Sequence, residues 1–283
     1  EHPAVLNPCA LLEKLGFEIT RVAVDGAGLV DPAGVERAIR PGTILISVMH
    51  ANNEVGTIQP LAEISAIARR HGVPIHSDAA QSVGKIPTRV DELGVDFLSI
   101  AGHKCYAPQG VGALYARKGL AFEPLMHGAG HENGRRAGTE AVAMIVGLGV
   151  ACELAKSLIG DPAIRTLRDM LHEGLKAAFK GELVLHGHPD LRLPNTLNVG
   201  FVGCRNGELL EAMPGVCATA AAACHSTAAA ISPVLAAMNV APRSAAGAIR
   251  FSVGRPTTAP EIQAAVRLIA EAANALYSST STP

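Results

Sequence analysis

The 283-residue sequence predicts an α/β protein whose main sheet is mostly parallel. Apolar runs of strand-like composition alternate with helical patterns through the first half of the chain, which is typical of a parallel sheet covered by helices. Polar residues directly follow three of these runs, and α/β folds bind their ligands at the carboxyl ends of strands. The length suffices for one large unit of this kind and a smaller second one.

Five strands are expected in the first half of the chain. They lie at residues 18–24, 43–49, 73–77, 96–100 and 112–116. Between the second and the third strand, Leu61, Ile64, Ile67 and Ala68 recur at helical spacing, which predicts a helix over residues 61–71. This alternation favours parallel neighbours joined by helices on the faces of the sheet.

A long helical stretch at residues 139–159 leads into a second unit of mixed elements. The elements expected there are a helix, three strands and a final helix, at residues 162–180, 183–186, 197–202, 248–253 and 259–276. The sequence therefore predicts a large domain over residues 1–155 and a smaller α+β domain over residues 156–283.

The composition argues against several classes of partner. The net charge of −1, from 24 basic and 25 acidic residues, does not suggest nucleic acid or an anionic membrane. The longest apolar stretch, residues 141–152, is too short to span a bilayer. Six scattered cysteines lack the spacing of a metal site and indicate reduced thiols in the cytoplasm. Because the chain begins in mid-motif at Glu1, we expect its N-terminal part to be missing.

Lys104 is the first candidate for chemistry. It follows the apolar run that ends at residue 100 and precedes a turn with Pro108 and Gly110. In an apolar cleft, desolvation favours the neutral and nucleophilic amine, which forms a Schiff base with carbonyl compounds such as pyridoxal phosphate. The alternative for a lysine at a strand end is a solvated surface charge.

Two further strand ends carry side chains that suit the same cofactor. Asp78 follows the strand at residues 73–77, and an anionic partner keeps the pyridine nitrogen of pyridoxal phosphate protonated. The alternative for Asp78 is a helix N-cap. Asn52 and Asn53 follow the strand at residues 43–49, where they either form a turn or hydrogen-bond a phenolic oxygen. Together the three strand ends predict a pyridoxal-phosphate site.

Seven sequence blocks resemble the signature blocks of the cysteine desulfurases. In chain order they are HANNEVG (50–56), SDAAQSVGK (77–85), GHK (102–104), GAGHENGRRAGTE (128–140), PNTLNV (194–199), ACHS (223–226) and IRFSVGR (249–255). Their order and spacing match from the first residues to about residue 276. The resemblance implies the type I fold of pyridoxal-phosphate enzymes and a homodimer. The selenocysteine lyases are closely similar and remain an alternative.

The resemblance implies which residues would contact the cofactor. The expected contacts are Lys104 for the covalent link, Asp78 for the pyridinium, Gln81 and Asn53 for the phenolic oxygen, His103 and Thr139 for the phosphate, and His2 for stacking on the ring and shuttling protons. Thr139 would reach the phosphate in the partner subunit. The family commonly has a serine at the position of Ala101, so one phosphate hydrogen bond is absent here or comes from elsewhere.

The resemblance also implies the substrate contacts. Cys224 would be the nucleophile that takes sulfur from L-cysteine as a persulfide, and His225 would promote its thiolate. Arg250 would bind the α-carboxylate through its guanidinium fork, assisted by Asn195. The alternatives are an inert buried cysteine and a salt-bridged surface arginine.

We therefore expect an enzyme that converts L-cysteine to L-alanine and passes the sulfur to an acceptor protein, in iron–sulfur cluster assembly or another pathway. A selenocysteine lyase would use the same residues. A non-catalytic scaffold that keeps the fold is a third possibility, which Ala101 favours and the intact Lys104, Asp78 and Cys224 disfavour.

Overall fold

The computed structural model describes residues 1–220 and 231–280 of the chain. The helices, numbered in chain order, are α1 (Pro3–Lys14), α2 (Pro32–Ala38), α3 (Leu61–Arg70), α4 (Val90–Leu93), α5 (Val142–Lys156), α6 (Pro162–Ala178), α7 (Asn206–Ala212), α8 (Pro233–Ala237), α9 (Pro242–Ala245) and α10 (Ala259–Thr280). The strands are β1 (Ile46–Ser47), β2 (Ile75–Asp78), β3 (Phe97–Ala101), β4 (Gly112–Ala116), β5 (Leu183–His186), β6 (Thr196–Phe201) and β7 (Ala248–Ser252). Short 3-10 helices span Gly102–Cys105 and His131–Gly134.

A four-stranded sheet in the order β1-β2-β3-β4 carries the strand ends singled out by the sequence. Its first three strands are parallel and β4 is antiparallel to β3. The α3 side chains of Leu61, Ile64, Ile67 and Ala68 are buried, as their helical spacing predicts. The prediction of an α/β fold with a mostly parallel sheet is confirmed.

A second sheet of three strands, in the order β5-β6-β7, is wholly antiparallel. Helices α6 and α10 pack against each other, and α6 packs on β6. Leu175, Phe201, Ile249 and Ile269 are fully buried where these elements meet. This apolar core holds β7 in place and with it the residues at its centre.

The strand expected at residues 18–24 is wrong. Within the described chain this segment forms only an isolated bridge between Val24 and Val30, and its side chains are all at least partly exposed. A strand is stable only when its backbone groups pair with a neighbouring strand. Strand-like composition is therefore not enough to form a strand at this position.

Two compact units divide the chain, and neither is continuous in sequence. One comprises residues 1–38, 51–59 and 161–283, and the other comprises residues 39–50 and 60–160. Residues 51–59 join the first unit because Thr57 pairs with Arg192 and the side chain of Asn198 donates to the carbonyl of Glu54. The division into contiguous domains at residues 155 and 156 stays a prediction.

Within residues 1–220 and 231–280, no helix combines the length and the apolar character that crossing a membrane requires.

Candidate active site

The carboxyl ends of β2 and β3 bring Asp78 and the turn of Lys104 to one edge of the parallel sheet. Asp78 is the last residue of β2 and lies opposite Ser99 of β3. Lys104 belongs to the 3-10 helix Gly102–Cys105, which begins directly after β3. Because parallel neighbours end at the same edge, a carboxylate and an amine are presented together there.

The turn that carries Lys104 has a fixed backbone. Gly102 donates to the carbonyl of Val111 at 3.0 Å, and a Cβ atom at Gly102 would lie 2.6 Å from that oxygen. Cys105 is buried and packs with Ala151 of α5. Between the buried ends of this turn, Lys104 is exposed. The apolar cleft around Lys104 stays a prediction.

Asp78 has a partner in the turn that follows it. Its Oδ1 accepts a hydrogen bond from the N–H of Ala80 at 2.9 Å. Residues 80–85 form turns and no helix begins there. Asp78 therefore caps a turn and is not the N-cap of a helix. Within the described chain this is the one hydrogen bond to the Asp78 carboxylate, which leaves its other oxygen able to accept a proton-bearing ligand nitrogen.

A row of hydrogen-bonded side chains crosses the three parallel strands, on the same face of the sheet as Asp78. The ring of His76 contacts the hydroxyls of Ser47 at 2.8 Å and Ser99 at 2.9 Å. Burial lowers the pKa of His76, and the nearby charge of Asp78 opposes this shift. The neutral imidazole thus bridges β1 and β3 two residues before Asp78. Our sequence reasoning missed this row, although His76 and Asp78 share a face by strand alternation.

His50 fixes the backbone on the other side of Asp78. Its N–H donates to the carbonyl of Asp78 at 2.8 Å, and its Nδ1 contacts the hydroxyl of Ser82 at 2.9 Å. Burial lowers the pKa of His50 to about 4, so the ring is neutral at neutral pH. Although it stands in the HANNEVG block, our sequence reasoning gave His50 no role.

The other proposed cofactor residues of this unit differ in exposure. Gln81 is partly buried, and its carbonyl accepts a hydrogen bond from the Lys85 amine at 2.8 Å. His103 and Thr139 are exposed, the latter shortly before α5 begins. The structure thus gathers Asp78, Gln81, His103 and Lys104 on the turns that follow β2 and β3, whereas Thr139 lies on a different loop.

Arg250 is the central charged residue of the other compact unit. It lies on β7, where its Nη1 donates to the carbonyl of Asn53 at 2.7 Å. Its Nε is buried and has no hydrogen-bond partner among the described residues. Burial lowers the pKa of Arg250, and the charge of Glu54 opposes this shift. Because Arg250 is only partly buried, an anion that reaches its guanidinium would offset the cost of desolvating this charge.

The loop of Asn53 is shaped by its neighbour Asn52, whose role the sequence left open. The Oδ1 of Asn52 accepts from the N–H groups of Glu54 at 2.8 Å and Val55 at 2.9 Å. Asn52 is buried, whereas Asn53 is partly buried. The first amide is thus a turn former, and only the second is available for a ligand.

Of the remaining predicted residues, two make hydrogen bonds to nearby backbone groups and one lies outside the described residues. His2 caps α1, with its Nδ1 accepting from the N–H of Ala4 at 3.1 Å. Asn195 accepts through its carbonyl from Val253 at 3.0 Å. Cys224 lies outside the described residues.

The donor set on the turns after β2 and β3 fits pyridoxal phosphate. The cofactor needs an amine for its aldehyde and an anion for its ring nitrogen, and the accessible Lys104 and the incompletely paired Asp78 supply them at one sheet edge. Among the described residues, no cluster of three or more His, Cys, Asp or Glu side chains could hold a metal ion.

Comparison with known proteins places the chain among pyridoxal-phosphate enzymes of one family. The sequence model of the family described as aminotransferase class-V matches residues 1–265. The chain is 48% identical to the cysteine desulfurase IscS of Dictyoglomus turgidum, over 93% of this chain and 67% of that protein. It is 44% identical to the cysteine desulfurase IscS of Methanosarcina thermophila, over 96% of this chain and 68% of that protein.

The fold is similar to that of solved relatives. A NifS-like protein matches with a TM-score of 0.87 at 36% identity, covering 96% of this chain and 72% of the other. The match includes the sheets described above, since it extends over nearly all of the chain. The type I fold implied by the sequence blocks agrees with this similarity.

Proposed function

The chain belongs to the class-V aminotransferase family, and from this premise we propose that it is a pyridoxal-phosphate-dependent cysteine desulfurase that converts L-cysteine to L-alanine. The observation that carries the proposal is that Asp78 and the Lys104 turn stand at the ends of two adjacent parallel strands. The two relatives reported above, which are 48% and 44% identical to this chain, are named cysteine desulfurases.

Lys104 and Asp78 have the two principal cofactor roles. When bound, pyridoxal phosphate withdraws electrons from the Cα–H bond of an attached amino acid. Lys104 would hold the cofactor aldehyde and then move the Cα proton, while Asp78 would keep the ring nitrogen protonated. Gln81 and Asn53 would contact the phenolic oxygen, His103 and Thr139 the phosphate, and His2 the face of the ring.

Arg250 binds the substrate carboxylate. Its Nε is buried and lacks a partner within the described chain, and a guanidinium offers parallel donors that match the two oxygens of a carboxylate. Asn195, which directly precedes β6, assists in binding the carboxylate. Because an incoming carboxylate meets a partly desolvated guanidinium, binding at Arg250 gains from both charge and hydrogen bonding.

Cys224 removes the sulfur. Its thiolate attacks the substrate sulfur, so an S–S bond forms as the Cβ–S bond breaks and the carbon gains a hydrogen. L-alanine and a Cys224 persulfide account for all atoms, with the carbon reduced and the sulfur oxidised. The outer sulfur then passes to a thiolate of an acceptor protein, in iron–sulfur cluster assembly or another sulfur pathway.

We also propose that the protein is a homodimer that covers one face of α5. Four of its apolar side chains recur every fourth residue and are more than half exposed, namely Val142, Val146, Val150 and Leu154. Such a stripe is unusual on a solvent-facing helix. A second copy of the chain would bury it and would bring its Thr139 to the phosphate. Light scattering of wild type and Val146→Asp tests this, since the variant should be monomeric.

The function is tested by the product and by the site of cofactor attachment. The purified protein, supplied with pyridoxal phosphate and L-cysteine, should release L-alanine, and borohydride should fix the cofactor on the peptide that contains Lys104. Lys104→Ala should lose both signals. The proposal fails if Lys104→Ala releases alanine at the wild-type rate, or if the cofactor is trapped on another lysine.

A further inference from the structure

Glu54 interacts with a hydroxyl and with a charged side chain of its own compact unit. Its Oε2 accepts a short hydrogen bond from the hydroxyl of Ser232, and its negative charge acts on the guanidinium of Arg250. Ser232 is buried and Glu54 is partly buried. The Glu54 carboxylate is therefore held at the start of α8, and the carbonyl of the preceding residue, Asn53, accepts from Nη1 of Arg250 at 2.7 Å.

The backbone around Glu54 is held from both sides. Its N–H donates to Oδ1 of Asn52 at 2.8 Å, and its carbonyl accepts from Nδ2 of Asn198 at 3.1 Å. Asn198 is fully buried on β6, directly opposite Arg250 on β7. With its main chain fixed at two points, Glu54 presents its carboxylate at a defined place.

The contacts of the carboxylate offset the cost of placing it there. Burial raises the pKa of Glu54, whereas the Ser232 hydroxyl and the Arg250 charge both act to lower it. A buried carboxylate is favourable only when such partners satisfy it. The Ser232 hydroxyl in turn caps α8, accepting from the N–H of Val234 at 3.1 Å, so its position is also fixed.

We propose that Glu54 is a positioning residue that orients the Arg250 guanidinium for the substrate carboxylate, and that Ser232 orients Glu54. The inference rests on the proposed role of Arg250. Among the described residues, one hydrogen bond holds the Arg250 guanidinium, from Nη1 to the carbonyl of Asn53, and the charge of the adjacent Glu54 acts on the same group. Without that charge, the guanidinium loses its electrostatic anchor and leaves the pose in which it meets a carboxylate.

The test compares two ligands that differ only in the carboxylate. L-alanine and ethylamine are titrated into the cofactor-loaded protein, and binding is followed by the visible absorption of the cofactor. Glu54→Gln should weaken L-alanine binding about tenfold or more, the effect of one charge-assisted hydrogen bond, and should change ethylamine binding by less than about twofold. Glu63→Gln, which removes an exposed carboxylate from α3, is the matched control. No sulfur is lost in these titrations, so they decide on Glu54 whether or not the protein desulfurates cysteine.

Two further variants separate positioning from a general loss of structure. Ser232→Ala should weaken L-alanine binding less than Glu54→Gln, because the charge remains, and Ser232→Thr should restore it. In an Arg250→Ala background, Glu54→Gln should have no further effect on L-alanine binding. The proposal is overturned if Glu54→Gln weakens both ligands equally, leaves L-alanine binding unchanged, or retains its full effect when Arg250 is absent.

Discussion

Thr219 and Arg250 exchange two backbone hydrogen bonds, from the N–H of Arg250 to the carbonyl of Thr219 at 2.8 Å and from the N–H of Thr219 to the carbonyl of Arg250 at 3.2 Å. The proposed carboxylate anchor is therefore also the residue that fixes the chain just before residues 221–230, which carry Cys224 in the sequence. The proposed substrate anchor and the start of the segment that carries the proposed nucleophile thus meet at one position of β7.

Arg250→Lys should impair substrate binding more than catalysis. Lysine keeps the positive charge but cannot supply two parallel donors, so the KM for L-cysteine should rise about tenfold or more, with a smaller change in kcat. Steady-state alanine formation measures both parameters. Arg243→Lys is the control, because Arg243 is exposed in the same compact unit and meets Glu182 only at 3.6 Å. An unchanged KM in Arg250→Lys would remove the carboxylate role.

Asp78→Asn should retain cofactor but lose most of the activity. The amide still accepts a hydrogen bond from the Ala80 N–H, so the turn should persist. A neutral group cannot stabilise the protonated ring nitrogen, and we expect kcat to fall by about 100-fold or more. Asp91→Asn, at an exposed salt bridge with Arg117, is the control. If Asp78→Asn turns over at the wild-type rate, Asp78 is only a turn cap.

Acid should destabilise the protein partly through His50. The folded pKa of His50 is lowered to about 4, below the ordinary value of 6.5 in the unfolded chain. Below about pH 6.5 the His50 side chain is protonated in the unfolded chain but stays neutral in the native state. The free energy of unfolding therefore keeps its full His50 contribution above that pH and loses it as the pH falls towards about 4. The loss is at most about 3.5 kcal/mol, at about 1.4 kcal/mol per pKa unit.

Urea denaturation of wild type and His50→Asn between pH 7 and pH 4 measures this effect. His76, which is partly buried, and His186, which is buried, also have lowered pKa values, and they contribute equally to both proteins. The variant should therefore lose less stability than wild type over this range. Identical pH profiles would show that His50 does not contribute.

The sequence predicted the places of Asp78 and Lys104 at strand ends better than their surroundings. These places were predicted because a polar residue directly after a buried strand is visible in a single sequence. The exposure of Lys104 stayed open, because it depends on the geometry of a four-residue turn. The strand expected at residues 18–24 failed for a related reason, since pairing depends on a neighbour that local composition does not specify.

Contacts between residues far apart in the chain could not be predicted from the sequence either. The row of Ser47, His76 and Ser99 joins residues 29 and 23 positions apart. The bond between Glu54 and Ser232 spans 178 positions. Each of these side chains is ordinary in its local context, and only the packed fold gives it a partner.

The persulfide on Cys224 is the most direct test of the account. After a single turnover with L-cysteine, alkylation and mass spectrometry of the purified protein should show one sulfur added to Cys224 for each alanine released. Cys217→Ala, which removes an exposed thiol seven residues earlier, should behave like wild type, and Cys224→Ala should form no alanine from L-cysteine. With L-selenocysteine, Cys224→Ala should keep measurable turnover, because the more acidic selenol leaves more readily. The ratio of the wild-type turnover rates with L-cysteine and L-selenocysteine decides between desulfurase and selenocysteine lyase. Alanine released from L-cysteine at the full rate by Cys224→Ala, or formed without added sulfur on Cys224, would contradict the mechanism.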